Sequence, residues 1–195
     1  MKTILATALL LLLLPAAAFA HPSISHHVHG FLAGVSHPLT GLDHLLAMLS
    51  VGLWASQKGG RALWLWPLAF MAAMVAGGVL GMSGLALPFV EPAIAASLLV
   101  LGAAIAATLT LPVAAGAAII ALFGLFHGNA HGLEAPGSGA ALYALGFLLA
   151  TVALHGLGVA LGLSVRQGRG TILVRAGAAL IAVTGMVMAF ASLGA

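Results

Sequence analysis

Two imidazoles and a carboxylate stand together at the mouth of an otherwise apolar stretch, His37-Pro38-Leu39-Thr40-Gly41-Leu42-Asp43-His44-Leu45-Leu46-Ala47-Met48. Proline is favoured at the first helical position, so a helix beginning near Pro38 leaves His37 just outside it. His44 follows seven residues later, two turns on and on a similar face, with Asp43 beside it. The three groups can then converge on one ion, since imidazole and carboxylate are ligands for divalent transition metals. Thr40-x-x-Asp43 also fits a capping box, in which Asp43 bonds back to the helix start and handles no ion. Histidines on either side of Asp43, and a second histidine cluster far along the chain, put the metal reading ahead.

That second cluster is Phe126-His127-Gly128-Asn129-Ala130-His131-Gly132-Leu133-Glu134. His127 and His131 lie four apart on one helical face, and Glu134 continues that face three residues on. Such a pair presents two nitrogen ligands from one helix, and the glycines leave room for a neighbouring helix or an ion. His155, in Leu154-His155-Gly156, stands alone. A single histidine in an apolar helix is more often a hydrogen-bonder in the packing than a ligand; an inner way-station for an ion is the other reading. His21, His26, His27 and His29 form a histidine-rich arm, suited either to weak capture of divalent metal or to an ordinary hydrogen-bonding lead-in.

The elements that position these groups follow from composition. The chain has 195 residues, 63% hydrophobic and only 5% charged, with a mean hydropathy of +1.22. There is too little polar surface to cover a soluble core, so the sequence predicts an integral membrane protein. The formal charge of +3 rests on 6 Lys and Arg, scattered along the chain, so a nucleic-acid surface is not supported. With no cysteine, disulfides and thiolate ligands are excluded. A metal site must use imidazole, carboxylate, carbonyl, thioether or water.

Residues 1–20 read as a secretory signal peptide: Lys2, then an apolar run, then Ala18-Phe19-Ala20 as a small-x-small cleavage site. Cleavage would leave His21 first. Residues 21–195 then form one domain of six hydrophobic spans, an all-α polytopic membrane bundle. The spans run from 31 or 38 to 56, then 62–82, 91–109, 112–133, 138–165 and 172–193, the first broken at His37-Pro38. Gly77-x-x-x-Gly81, Gly128-x-x-x-Gly132 and Gly158-x-x-x-Gly162 are small-residue stripes for close helix packing.

Charge sets the orientation. With the signal exported, Lys58 and Arg61 fall in the first cytoplasmic loop and Arg166 and Arg169 in the last, Arg175 nearby, as the positive-inside rule expects. The mature N-terminus is then periplasmic and the location a bacterial inner membrane. Asp43, Glu91 and Glu134 all fall at outer span ends. Acids contribute little to topology, so their sorting reads as a mouth that attracts cations. An Asp at the centre of a membrane helix costs about 2.5–3.5 kcal/mol on insertion scales, and polar groups there usually mark an ion path. Clusters on spans one and four point to a shared site between helices, with spans one to three and four to six as halves of opposite orientation.

These motifs carry a resemblance. His37-Pro38-x-x-Gly41-x-Asp43-His44-x-Leu46-Ala47-Met48, the continuation Val51-Gly52-Leu53-Trp54-Ala55, and Phe126-His127-Gly128-x-x-His131-Gly132-x-Glu134, behind a signal and a His-rich start, resemble the HupE/UreJ family of small nickel or cobalt permeases. The remaining helices match in length and character. The resemblance implies uptake of Ni²⁺, or Co²⁺ in some members, for hydrogenase or urease maturation. It implies an ion carried as cargo with no permanently bound cofactor, a lipid bilayer as surroundings, and a metallochaperone or metalloenzyme maturation system as recipient. By resemblance, His37, Asp43, His44, His131 and Glu134 occupy the motif positions that handle the ion. Glu91 joins them as the third outer acid, His127 through its helical face.

Two rival functions can be framed. Gly81-Met82-Ser83-Gly84 matches the G-x-S-G of rhomboid-type intramembrane serine proteases, with His155 as base. The match is short in a chain with 26 glycines, and Ser83 falls at an outer span end, where such a nucleophile should lie below the surface. The other rival is an outward-facing metal sensor or accessory subunit. No G-x-x-x-x-G-K-[ST] loop is present, so the chain does not hydrolyse ATP by that route.

Overall fold

The apolar runs fold as helices throughout. The computed structural model describes residues 30–135, 138–165 and 169–193, and these hold seven helices: α1 (Phe31–Thr40), α2 (Leu42–Lys58), α3 (Ala62–Met82), α4 (Val90–Ala106), α5 (Val113–Glu134), α6 (Ala140–Ser164) and α7 (Arg169–Leu193). The expected signal peptide at 1–20, the histidine arm from His21 to His29, and Arg166 lie outside the described residues.

α1 and α2 are one apolar run bent by 82°. The break falls at Gly41, not at His37-Pro38. Pro38 lies inside α1, and the helix runs on to Thr40 before Gly41 turns extended (φ −78°, ψ 111°). Gly41 closes one helix and opens the next: its N–H donates to His37 O at 3.1 Å, and its carbonyl accepts from Leu45 N–H at 2.9 Å. The capping box does not form. The Thr40 hydroxyl donates backward, towards the carbonyls of Ser36 and His37, because Thr40 ends α1 rather than starting α2.

Helices α3, α5, α6 and α7 are long and apolar enough to cross a bilayer, and the bent pair makes a fifth candidate if it is one span. The remaining expected span, third in chain order, is α4, with 17 residues. That is roughly 25 Å at 1.5 Å per residue, short of the ~30 Å hydrocarbon core. The sequence pattern carried this run on to 109, but the chain leaves the helix at Thr108, which has a left-handed φ of 53°.

The closest helix pairs are α3 with α5, α4 with α7, and α6 with both α1 and α2. The glycine stripes account for this. Gly77 and Gly81 of α3 lie on the α5 backbone near Asn129, while Gly128 and Gly132 of α5 lie on the carbonyls of Met74 and Gly78; a Cβ at any of them would overlap backbone atoms. Gly158 meets α2 at Leu49 and Gly52 in the same way. Taking α1–α2 as one unit, the tight pairs are the first span with the fifth, the second with the fourth, and the third with the sixth. A two-fold relation between the halves would produce that set. The contacts of α2 with α3 and α4, however, have no comparably extensive counterparts made by α5 with α6 and α7 among the described residues.

Met48, Val51, Trp54, Trp66, Phe70, Leu101 and Ile105 form the buried core. Leu68, Val75, Leu122, Leu149, Val183, Val187 and Phe190 project outward, an apolar exterior that only lipid would solvate well. Charge is divided between the ends. Asp43 and Glu91 start α2 and α4 and Glu134 ends α5, whereas Lys58 ends α2, Arg61 precedes α3, and Arg169 and Arg175 lie at the start of α7.

Candidate metal centre

Three imidazoles meet at the acidic end. His37 comes from the last turn of α1, His44 from the first turn of α2 and His131 from the last turn of α5, each offering a ligand atom within 4.8 Å of the others. The bend at Gly41 makes this possible. On one straight helix His37 and His44 would be separated by about 10 Å along the axis; here their ring centroids are 5.8 Å apart. His131 completes the group, 4.6 Å from His37 and 4.4 Å from His44. Nitrogen ligands at about 2.0–2.1 Å in a tetrahedral shell lie roughly 3.3 Å from one another, so the donor atoms need close by at most about 1.5 Å to grip an ion.

The donor atoms are available. Both nitrogens of His131 and Nε2 of His44 are buried without a hydrogen-bond partner among the described residues. Asp43 Oδ1 accepts from His44 N–H at 2.8 Å and lies 2.6 Å from His44 Nδ1. A carboxylate accepts only, so in the neutral ring Nδ1 carries the proton and Nε2 the lone pair. This is the carboxylate–imidazole arrangement that orients metal-binding histidines. Glu134 Oε2 stands 3.9 Å from His37 Nε2 and 4.0 Å from His131 Nδ1, its side chain more than half exposed. Glu91, in the first turn of α4, is exposed and within electrostatic reach of Asp43, His44 and Glu134.

The surroundings are apolar. Phe147 of α6 packs its ring 4.2 Å from that of His131, and Tyr143 and Phe147 both stand 6.1 Å from His37. His37 is the partly exposed member, His44 and His131 the buried ones. The cluster therefore reaches from the surface into the bundle.

His127 lies one layer deeper, its ring 5.2 Å from His44. Its Nδ1 donates to Phe123 O at 2.9 Å, leaving Nε2 unpartnered and buried. His155 is deeper still, 2% exposed. Neither of its nitrogens has a hydrogen-bond partner among the described residues.

The histidines and acids singled out by type and spacing gather at this end, but no sequence signal pointed to the residues packed around them, Phe70, Tyr143 and Phe147. Asn129 was passed over inside its own motif: it is fully buried, its amide donating to Leu85 O at 2.8 Å and accepting from Leu87 N–H at 2.9 Å. It thus ties the segment ahead of Glu91 to the helix that carries His131.

The protease constellation does not form. Ser83 is exposed and its hydroxyl donates to Leu80 O at 2.6 Å. His155 packs against Phe70, ring centroids 5.2 Å apart, and Phe70 lies thirteen residues, or about 20 Å along α3, from Ser83.

Comparison with known proteins agrees with the motifs. The family model described as HupE / UreJ protein matches residues 9–188. Protein HupE of Rhizobium leguminosarum bv. viciae is 47% identical over 176 residues, covering 87% of this chain and 92% of the relative. No solved structure matches.

Proposed function

This chain belongs to the HupE/UreJ family, whose members are transporters and accessory membrane proteins rather than enzymes, and from that premise we propose that it is a permease importing a divalent transition-metal ion. The ion is Ni²⁺ or Co²⁺, destined for hydrogenase or urease maturation. The supporting observation is the convergence of His37, His44 and His131 from three helices at the end of the bundle that holds all three acids, with His44 and His131 keeping buried nitrogens that bond no described residue.

In this reading the acidic end is the periplasmic mouth, in an inner membrane. The short α4 serves with the bent pair and the four long helices as the sixth span. Glu134 and Glu91 attract the hydrated cation. His37, His44 and His131 replace its water, with Asp43 holding His44 in the binding tautomer. Imidazole alone does not choose among Ni²⁺, Co²⁺, Zn²⁺ and Cu²⁺; the choice of nickel or cobalt comes from the family. Moving a divalent cation inward down 100 mV releases about 4.6 kcal/mol, twice the value for a unit charge. That supports more than about a thousandfold accumulation, at ~1.4 kcal/mol per decade.

The test is nickel influx into liposomes holding only this protein, under an inside-negative potential. Saturable, potential-dependent filling of the lumen is expected, abolished by His44→Ala and His131→Ala. Binding without filling would make the chain a sensor or accessory subunit instead.

A further inference from the structure

We propose that His127 and His155 form a second, inner station for the ion, flanked by Met48 and Thr151, which receives it from the three-histidine cluster. The proposal rests on the transport reading above and gives it a route.

A neutral imidazole carries one donor and one acceptor nitrogen, and a buried polar atom left unpaired is costly. His155 leaves both nitrogens in that condition, and His127 leaves Nε2 so, with its other nitrogen fixed on Phe123 O. Fixing one ring nitrogen on a carbonyl while the other stays free is how metal-binding histidines are oriented. An incoming cation would supply the missing partner to each.

The placement makes a path. His127 meets the outer cluster through His44 at 5.2 Å. Phe70 packs against both inner imidazoles, 5.3 Å from His127 and 5.2 Å from His155. Met48 lies one turn inward from His44 on the same face of α2, and Thr151 one turn outward from His155 on the same face of α6. These faces touch, the Thr151 hydroxyl lying 3.4 Å from Met48 Sδ and 2.9 Å from Phe147 O. Imidazole, thioether and hydroxyl thus line one strip leading inward through an otherwise apolar core. Imidazole and thioether suit a borderline or soft transition metal better than Mg²⁺ or Ca²⁺.

Beyond His155 the donors weaken. About 10 Å further along α6 a cavity of about 440 Å³ opens at the basic end, lined by Ser56, Gln57, Thr108, Thr110 and Thr171 among others, with no imidazole or carboxylate among the described residues. Three imidazoles, then two, then hydroxyls and an amide make a descending series that favours release at the inner end.

The experiment compares His155→Leu and His155→Met with the wild-type chain, using Ni²⁺ alone as probe. Equilibrium dialysis of the detergent-solubilised protein gives the bound equivalents, and liposome influx gives the rate. Leucine fills the space without a donor; methionine restores one. The wild-type protein should bind a second, weaker equivalent. The leucine variant should lose that equivalent, keep the tighter one, and transport at least about tenfold more slowly, while the methionine variant recovers much of the rate. A leucine variant that binds and transports like wild type overturns the proposal, as does a wild-type chain binding one equivalent only. If wild-type liposomes never fill yet the second equivalent disappears with His155→Leu, the transport reading has failed and the inner site stands.

Discussion

The Asp43 carboxylate engages His44 Nδ1 at 2.6 Å and leaves His44 Nε2 as the free nitrogen of that ring. In the proposed site Asp43 would then act on the ion through His44, by orienting that ring. Removing such an outer partner typically costs 10–100-fold in metal affinity. Asp43→Asn should weaken Ni²⁺ binding by about that factor, with the protein still inserted and monodisperse. Equilibrium binding in detergent measures it, and wild-type affinity in that variant would leave Asp43 without a part in the site.

Gly41 matters for a different reason than its flexibility. Its φ of −78° suits any residue, yet a Cβ there would stand 3.1 Å from Asp43 Oδ1 and 3.2 Å from His44 Nδ1. Gly41→Ala should leave the helices intact and push the carboxylate–imidazole pair apart. The expected result is a weakened Ni²⁺ site, about tenfold by the same orienting logic, with unchanged helical content by circular dichroism. An alanine variant of wild-type affinity would show that the pair can shift without loss.

Both histidine constellations could be read from the sequence, because residue type and spacing survive any detail of the fold. The bend could not. Pro38 suggested a helix start, but proline is also tolerated within membrane helices, and the chain turned three residues later, at Gly41. That changed the geometry of His37 and His44 from two points along one face to two arms of a corner. The end of α4 was missed because the apolar pattern runs past Ala106 into Leu109, whereas the left-handed Thr108 stops the helix. The state of His155 depends on which neighbours fail to bond it, which no periodicity records.

The glycine stripes give a stability prediction with its own control. A Cβ at Gly128 would overlap the Met74 carbonyl, whereas one at Gly177 on α7 would meet nothing within 4 Å. Gly128→Ala should destabilise by about 1–3 kcal/mol, the usual cost of overpacking. Gly177→Ala should be neutral or slightly stabilising, since alanine is the better helix former by roughly 0.8–1 kcal/mol. Thermal unfolding in detergent compares the two. Equal melting temperatures would mean that α3 and α5 can part at no cost.

Asn129 couples two parts of the mouth. Its side chain holds Leu85 O and Leu87 N–H, with Gly77 O at a longer 3.4 Å, so the turn between α3 and α4 is pinned to the α5 helix two residues before His131. Asn129→Ala would leave Leu87 N–H and Leu85 O to find other partners, at about 1 kcal/mol for each bond lost. The segment 83–89 should loosen while the three imidazoles keep their helices. Faster amide exchange at Leu87 is expected, with little change at the α5 core. Because Glu91 begins the helix that this segment leads into, nickel influx should fall at limiting metal and recover when metal is raised. Unchanged exchange at Leu87 would remove Asn129 from any role in shaping the mouth; a loss persisting at saturating metal would place it within the ion site itself.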